Sequence, residues 1–310
     1  MVECNVCKKE FKEDKNLHLH IKAHKLAIGS YYHTQFPRYD LHTKELIKFK
    51  NKEQYFNTEF NTRTNLRMWL KGLEPSEAKS YCRGLLTERK EKRGIAYAPT
   101  QVELRSIISP PIQYFDELFG NYYLLCEELG LKNKHSKCAK LVCSTQYDKD
   151  EYKILVDTRE QKPLKFHWDI EIKKLDYGDY AFSSEKEIIN CYVERKMLSD
   201  FIGTISGGHD RFINEIERAQ EDGAYLTVVV EENINNALGF KFLPHISKKI
   251  KATPDFIFHR VRSIIQKYPH VQFVFVNGRK EATRVIERIF TSDGLHENID
   301  LQLAYDLKIL

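Results

Sequence analysis

Long apolar runs are missing from this 310-residue chain. Charged residues make up 30% of it, and no stretch approaches the ~18 consecutive apolar residues that a membrane helix requires, which excludes a helical membrane protein. The N-terminus, MVECNVCKKEF, lacks the apolar segment of a secretory signal, so an intracellular protein with no membrane partner is expected. An even cysteine count is also missing. Seven cysteines without an export signal argue against a disulfide framework and leave metal binding or inert burial. Nor is there a strong charge of one sign: 49 Lys and Arg against 44 Asp and Glu give +5, too mild to identify a nucleic-acid binder.

That mild average hides a split. Residues 1–150 carry 26 Lys and Arg against 19 Asp and Glu, a net +7, whereas 151–310 carry 23 against 25, a net −2. A basic front would suit a grip on DNA, and a slightly acidic back would suit metal-holding carboxylates, although ordinary surface scatter gives the same numbers.

The front begins with Cys4, Cys7, His20 and His24, spaced by two, twelve and three residues. Two thiolates on a short hairpin and two imidazoles one helical turn apart can converge tetrahedrally on Zn²⁺, and so short a segment has too little core to fold alone. With Phe11 and Leu17 as a miniature core, residues 1–26 resemble the Cys-Cys-His-His zinc fingers, which implies a ββα fold. Lys12, Asp14, Lys15 and His18 would lie on its helix, and Lys12, Lys15 and His18 are the candidate DNA contacts.

Residues 27–98 interleave aromatics with Lys and Arg, which fits either a helical nucleic-acid-binding region or a small helical domain with an aromatic core. Glu88-Arg89-Lys90 there sits in the charge cluster TERKEKR and reads as a solvated helix end. In residues 99–132, Thr100 and Glu103 form a capping box, Leu104, Ile107 and Ile108 give an apolar stripe, and Pro110-Pro111, Gly120 and Gly130 punctuate two further helices. This run resembles the helical repeats that phage homing endonucleases use to read DNA; three packed helices with no DNA role are the alternative. Residues 133–150 read as a linker, and the spacing of His135, Cys138 and Cys143 there fits no common zinc site.

Beyond it, residues 151–310 alternate branched, strand-like runs (KILVDTRE, IINCYVERK, YLTVVVEE, VQFVFVNG) with helical stretches at 198–205, 211–222, 254–268 and 279–290. The pattern implies an α/β domain whose central sheet is flanked by helices. Acidic residues fall where strands end: Asp157 and Glu160 after the first, Asp179 in the turn-like YGDY, Glu194 at the end of a strand starting near Ile188. Strand alternation puts Glu194 and Lys196 on one face and Arg195 on the other. Carboxylates beside an ammonium suit phosphodiester hydrolysis, the former as ligands for a hard divalent metal and the latter to orient water and offset phosphate charge.

VDTRE, GDY and VERKMLSD, with Asp200 four residues after Lys196, resemble the XPF-type structure-specific endonuclease family of the restriction-endonuclease-like, PD-(D/E)XK fold, over about residues 151–292. The resemblance implies a central mixed sheet. It also implies Asp157, Asp179 and Glu194 as ligands of Mg²⁺ (or Mn²⁺) with the Arg195 backbone carbonyl as a further one, and Lys196 assisting the water. Arg159, Glu160 and Asp200 would brace these groups, and Arg211 would lie near the scissile strand. Two departures matter: only LHENIDLQLAYDLKIL follows the last helix, too short for tandem helix-hairpin-helix motifs, and no Gly-Lys-Ser/Thr phosphate loop occurs.

Three functions are therefore expected in turn. The first is a metal-dependent endonuclease acting on double-stranded DNA, site-specific and of homing type, from a bacterial or phage-infected cytoplasm. The second is the same chemistry directed to flaps, forks or junctions, and the third a DNA-binding protein with a dead nuclease domain. One active site that cuts both strands would need a homodimer or two successive nicks.

Overall fold

The computed structural model of the chain describes residues 2–37, 46, 48, 66, 69–135, 147–243, 246–247, 249–292 and 294–310. Residues 38–45, 47, 49–65 and 67–68 of the expected basic, aromatic-rich region and most of the 133–150 linker, Cys138 and Cys143 included, lie outside the described residues. The chain divides into two compact units, residues 1–80 with 108–110, and residues 81–107 with 111–310.

In the smaller unit β1 (Val2–Glu3) and β2 (Glu10–Phe11) pair antiparallel, Val2 opposite Phe11. The Cys4 carbonyl accepts the Lys8 N–H at 2.7 Å, and Lys8 takes a left-handed φ of 63° to close the turn. Helix α1 (Asp14–Ile21) continues into a 3₁₀ turn (Lys22–His24). The i,i+4 spacing that buries Leu17 and Ile21 also stacks His20 and His24 on one helix face. The core is larger than the expected Phe11 and Leu17, because α2 (Ile28–Gln35) adds Tyr31 and Tyr32 to Cys4, Leu17 and Ile21, while Phe11 is only half-buried. Tyr31 Oη accepts the Asn5 N–H at 2.9 Å, so the packed module runs past residue 26.

The larger unit is built on a six-stranded mixed sheet: β3 (Lys153–Val156), β4 (Ile170–Ile172), β5 (Tyr180–Ser183), β6 (Ile188–Lys196), β7 (Tyr225–Val230) and β8 (Val271–Phe275), in the order β4-β3-β5-β6-β7-β8. β5 runs antiparallel to both neighbours; the other pairs are parallel. Strand alternation sorts the core onto two faces. Val229 and Val274 point into one cluster, whereas Leu226, Val228, Val230, Phe273 and Phe275 point into the other. Each such buried side chain contributes about 1.5–3 kcal/mol of transfer free energy, so the sheet is a rigid mount for whatever its strand ends carry.

The second face is covered by α7 (Leu198–Ser206), α8 (His209–Glu221), α9 (Ile234–Leu238) and α10 (Pro254–Lys267). The first is covered by α11 (Arg279–Phe290), α12 (Leu295–Asn298) and α13 (Leu301–Asp306), together with helices from earlier in the chain. The latter are α3 (Pro75–Arg93) from Tyr81 onward, α4 (Gln101–Arg105), α5 (Ile112–Phe119) and α6 (Tyr122–Glu128).

This helical run is thus part of the sheet's own core. The expected capping box is present, Thr100 and Glu103 bonding each other's backbone N–H, yet Glu103 is fully buried and also accepts Gln266 Nε2 of α10 at 3.0 Å. Gln101 N–H donates to Asp300 Oδ2 at 2.6 Å, and Arg105 pairs with Asp306 at 2.8 Å. Arg89, expected at a solvated helix end, instead lies largely buried 3.9 Å from Glu103.

Candidate active site and metal centres

Glu194 and Lys196 close β6, the longest strand, and the alternation holds: their side chains form an ion pair on one face. Arg195 on the other face pairs with Glu160 at 3.1 Å and Glu231 at 3.0 Å, so Glu160 braces the strand through Arg195. Opposite stands the turn that carries Asp179. Gly178 has φ +61°, and a Cβ there would lie 2.8 Å from the Val193 carbonyl oxygen, so only glycine lets the turn come this close. The approach lets Asp179 N–H donate to Val193 O at 2.8 Å, and Arg195 N–H to Asp179 Oδ2 at 2.8 Å. A glycine followed by an acid is therefore a steric requirement of this strand pair.

Burial pushes the Asp179 carboxyl up to about 6, and burial together with the Asp179 charge pushes Glu194 up to about 7. Lys196, though burial opposes its charge, is raised by the Glu194 and Asp179 carboxylates. Two acids beside one ammonium leave an excess of negative charge in a low-dielectric recess, and hard oxygen donors of that kind fit Mg²⁺ or Mn²⁺.

Asp157, expected as a third ligand, is engaged by hydrogen-bond donors. It is 1% exposed, its Oδ1 accepts Arg159 N and Nε at 2.8 and 2.6 Å, and its Oδ2 accepts Leu175 N at 2.7 Å and an Arg159 Nη at 3.2 Å. Burial favours its neutral form, but these donors outweigh burial and hold the carboxyl below its ordinary value. Both oxygens are committed, so Asp157 organises the loop after β3. Among the described residues Asp157, Asp179 and Glu194 do not bring their oxygens together as a three-ligand set; the set that converges is Cys4, Cys7, His20 and His24. Asp200, expected to brace the site, is exposed in the first turn of α7, where its carboxylate meets the Ser199 hydroxyl at 3.4 Å. Arg211 is exposed in the first turn of α8.

Sequence reasoning missed Glu215. It lies one turn beyond Arg211 on α8, accepts the Gly178 N–H at 3.2 Å, and its charge acts on Glu194 and Lys196. In a helix as charged as HDRFINEIERAQE, one glutamate looks like any solvated residue; only its four-residue spacing from Arg211 hinted at a shared face.

In the smaller unit Cys7 Sγ lies 3.0 Å from His20 Nε2, Cys4 Sγ 3.5 Å from His24 Nε2, and all four donor atoms fall within 4.8 Å of one another. Bonds of about 2.3 Å to sulfur and 2.0–2.1 Å to nitrogen give donor separations of this order, so two thiolates and two imidazoles fit tetrahedral zinc. Burial opposes the Cys4 thiolate, but the backbone N–H groups of Cys7 and Val6 pull the thiol below its ordinary value; burial and His24 lower His20. Both shifts favour the ligating forms. Lys15 is exposed on α1, and Lys12 is exposed just before it. His18, the third candidate contact, is 8% exposed, with Nε2 2.8 Å from Tyr32 Oη, because its helix position faces the core that α2 supplies.

A mixed sheet flanked by helices, whose central strand ends in Glu-x-Lys against a Gly-Asp turn, is the architecture expected from the restriction-endonuclease-like resemblance. Residues 156–289, less than half of the chain, match the family model of the ERCC4 domain. Among solved structures, the chain is similar to XPF from Aeropyrum pernix at 19% identity and a TM-score of 0.33, over 44% of this chain and 64% of that one. It is similar to XPF from Aeropyrum pernix in complex with DNA at 20% identity and a TM-score of 0.33, over 44% and 61%. The chain thus spans less than two thirds of either solved chain, and no curated protein matches it. No described helix is long and apolar enough to cross a membrane.

Proposed function

We propose that the chain is a divalent-metal-dependent DNA endonuclease that hydrolyses phosphodiester bonds at the end of β6. The observation that carries this reading is the pairing of Glu194 and Lys196 on one strand face against Asp179, with both carboxyls raised chiefly by burial and Glu194 further by the Asp179 charge. Bound there, with the Arg195 carbonyl as a further ligand, Mg²⁺ would neutralise the two acids and polarise a phosphoryl oxygen. Lys196, tethered to Glu194, orients the attacking water and offsets charge on the phosphate as the P–O bond to the leaving strand breaks. The Glu160–Arg195–Glu231 bridge holds the strand end so that these groups keep their positions.

Between the two substrate readings, shape recognition of flaps, forks or junctions is favoured over homing. The homing resemblance rests on residues 99–132, and there α4 is buried while the exposed positions of α5 and α6 include Asp116, Glu117, Glu127 and Glu128. An acidic face repels phosphate. The zinc finger, with Lys12 and Lys15 exposed, is the more suitable additional grip on DNA. Cleavage of linear plasmid and of flap, fork and four-way substrates in Mg²⁺ tests the reading. Cutting at branch points supports it; discrete fragments from unbranched duplex restore the homing enzyme; binding without cutting on any substrate means an inactive nuclease domain.

A further inference from the structure

Asp179 depends on a turn whose anchorage comes from α8. Tyr177 packs against Ala219 and Ala224, and its hydroxyl meets Asp222 and the Arg218 carbonyl, the latter at 3.3 Å. One residue on, Gly178 donates its N–H to Glu215 Oε1 at 3.2 Å. Glu215 precedes buried Ile216, so its position is fixed by the core rather than by solvent. Its other oxygen, Oε2, accepts no hydrogen bond from the described residues, and its charge acts on Glu194 and Lys196. Meanwhile both Asp157 oxygens are occupied by Arg159 and Leu175.

We propose that Glu215 takes the place of Asp157 as the third acidic group of the divalent-cation site, holding the Gly178–Asp179 turn with one oxygen and the cation's water shell with the other. Mg²⁺ and Mn²⁺ keep several waters when bound by few carboxylates, so an acid set back from the donors still adds affinity through those waters. Glu215 is thus a positioning residue that also supplies charge. The inference rests on the nuclease reading of this site and is testable apart from it.

The test is Mn²⁺ binding to the zinc-loaded full chain by calorimetry, alongside cleavage. Glu215→Gln keeps an oxygen for the Gly178 N–H but loses the charge, and should weaken Mn²⁺ binding about 10-fold or more with unchanged thermal stability. Glu215→Asp keeps the charge and should bind within a few-fold of the unaltered chain. Glu217→Gln on the same helix, which removes an exposed pair with Lys267 at 3.1 Å, should change nothing. If the unaltered chain cleaves DNA and Glu215→Gln binds Mn²⁺ equally well, the proposal falls and the nuclease reading stands. If the unaltered chain binds no Mn²⁺, both fall.

Discussion

In the smaller unit four soft donors lie within 4.8 Å of one another on a module with five fully packed core residues. In the larger unit hard donors stand at the rim of a six-stranded sheet with an extensive apolar core on each face, and among the described residues no three of them converge. On the proposed reading, an ion at the first set of donors would make the fold, whereas at the second the fold would make a site for the ion. Their chemistry follows the same division. Closed thiolate–imidazole coordination leaves no position for a substrate, whereas separated acids leave room for water and phosphate.

Zinc removal tests the first half of that comparison and carries the largest expected effect. Structural zinc contributes on the order of 10 kcal/mol to finger folding. Chelation should collapse the amide resonances of residues 2–36 and leave those of the larger unit in place. If the finger stays dispersed without metal, the Tyr31 and Tyr32 core suffices by itself and the contrast between the centres is lost.

Glu194→Gln tests the second half. It keeps shape and burial but removes one acid beside Asp179, and cleavage should fall about 10³-fold or more, roughly 4 kcal/mol in the barrier. DNA affinity should be nearly unchanged, measured by fluorescence anisotropy in Ca²⁺. Lost binding with intact cleavage would overturn the site assignment.

Gly178→Ala comes next. A left-handed φ costs an L-residue about 1–2 kcal/mol, and here the added Cβ would also meet the Val193 carbonyl at 2.8 Å. A loss of about 3 kcal/mol in urea unfolding is expected, together with impaired cleavage because Asp179 moves with the turn. A variant of full stability would mean that the turn is not as tightly set as its hydrogen bonds indicate.

These features were unequally visible in the chain. Spacing alone gave the finger's four donors, since coordination geometry constrains sequence distance directly. Strand alternation correctly separated Glu194 and Lys196 from Arg195. β4 and β5 escaped notice because three exposed residues (Ile170–Ile172) and four buried ones (Tyr180–Ser183) are too short for a period-2 signal. The capping box at Thr100 located α4, but a local cap carries no information about what the helix packs against, so its burial against α10 and α13 was hidden. Asp157 shows the same limit at the site: its position at a strand end was readable, and its saturation by Arg159 and Leu175, eighteen residues further on, was not.

The smallest effect separates two carboxyls that share one shift. Asp300, like Asp179, is pushed up to about 6 by burial, but Asp300 caps α13 through Leu303 N–H at 2.9 Å and receives the Gln101 N–H of α4. A raised carboxyl alone is therefore no mark of chemistry in this molecule. Below pH ~3 the Asp300 carboxyl is protonated in the folded and unfolded chain alike. As pH rises, the unfolded chain ionises it first, so the fold loses stability progressively until pH passes about 6. A shift of that size amounts to roughly 1–3 kcal/mol, readable as a falling urea midpoint between pH 4 and 7 that Asp300→Asn flattens. Mg²⁺ should leave the Asp300 part of that slope untouched, because its oxygens already hold N–H donors, and should reduce the part carried by Asp179 and Glu194. Equal sensitivity of both parts to Mg²⁺, resolved by comparing Asp300→Asn with Glu194→Gln, would erase the distinction between a carboxylate that joins helices and one that awaits a cation.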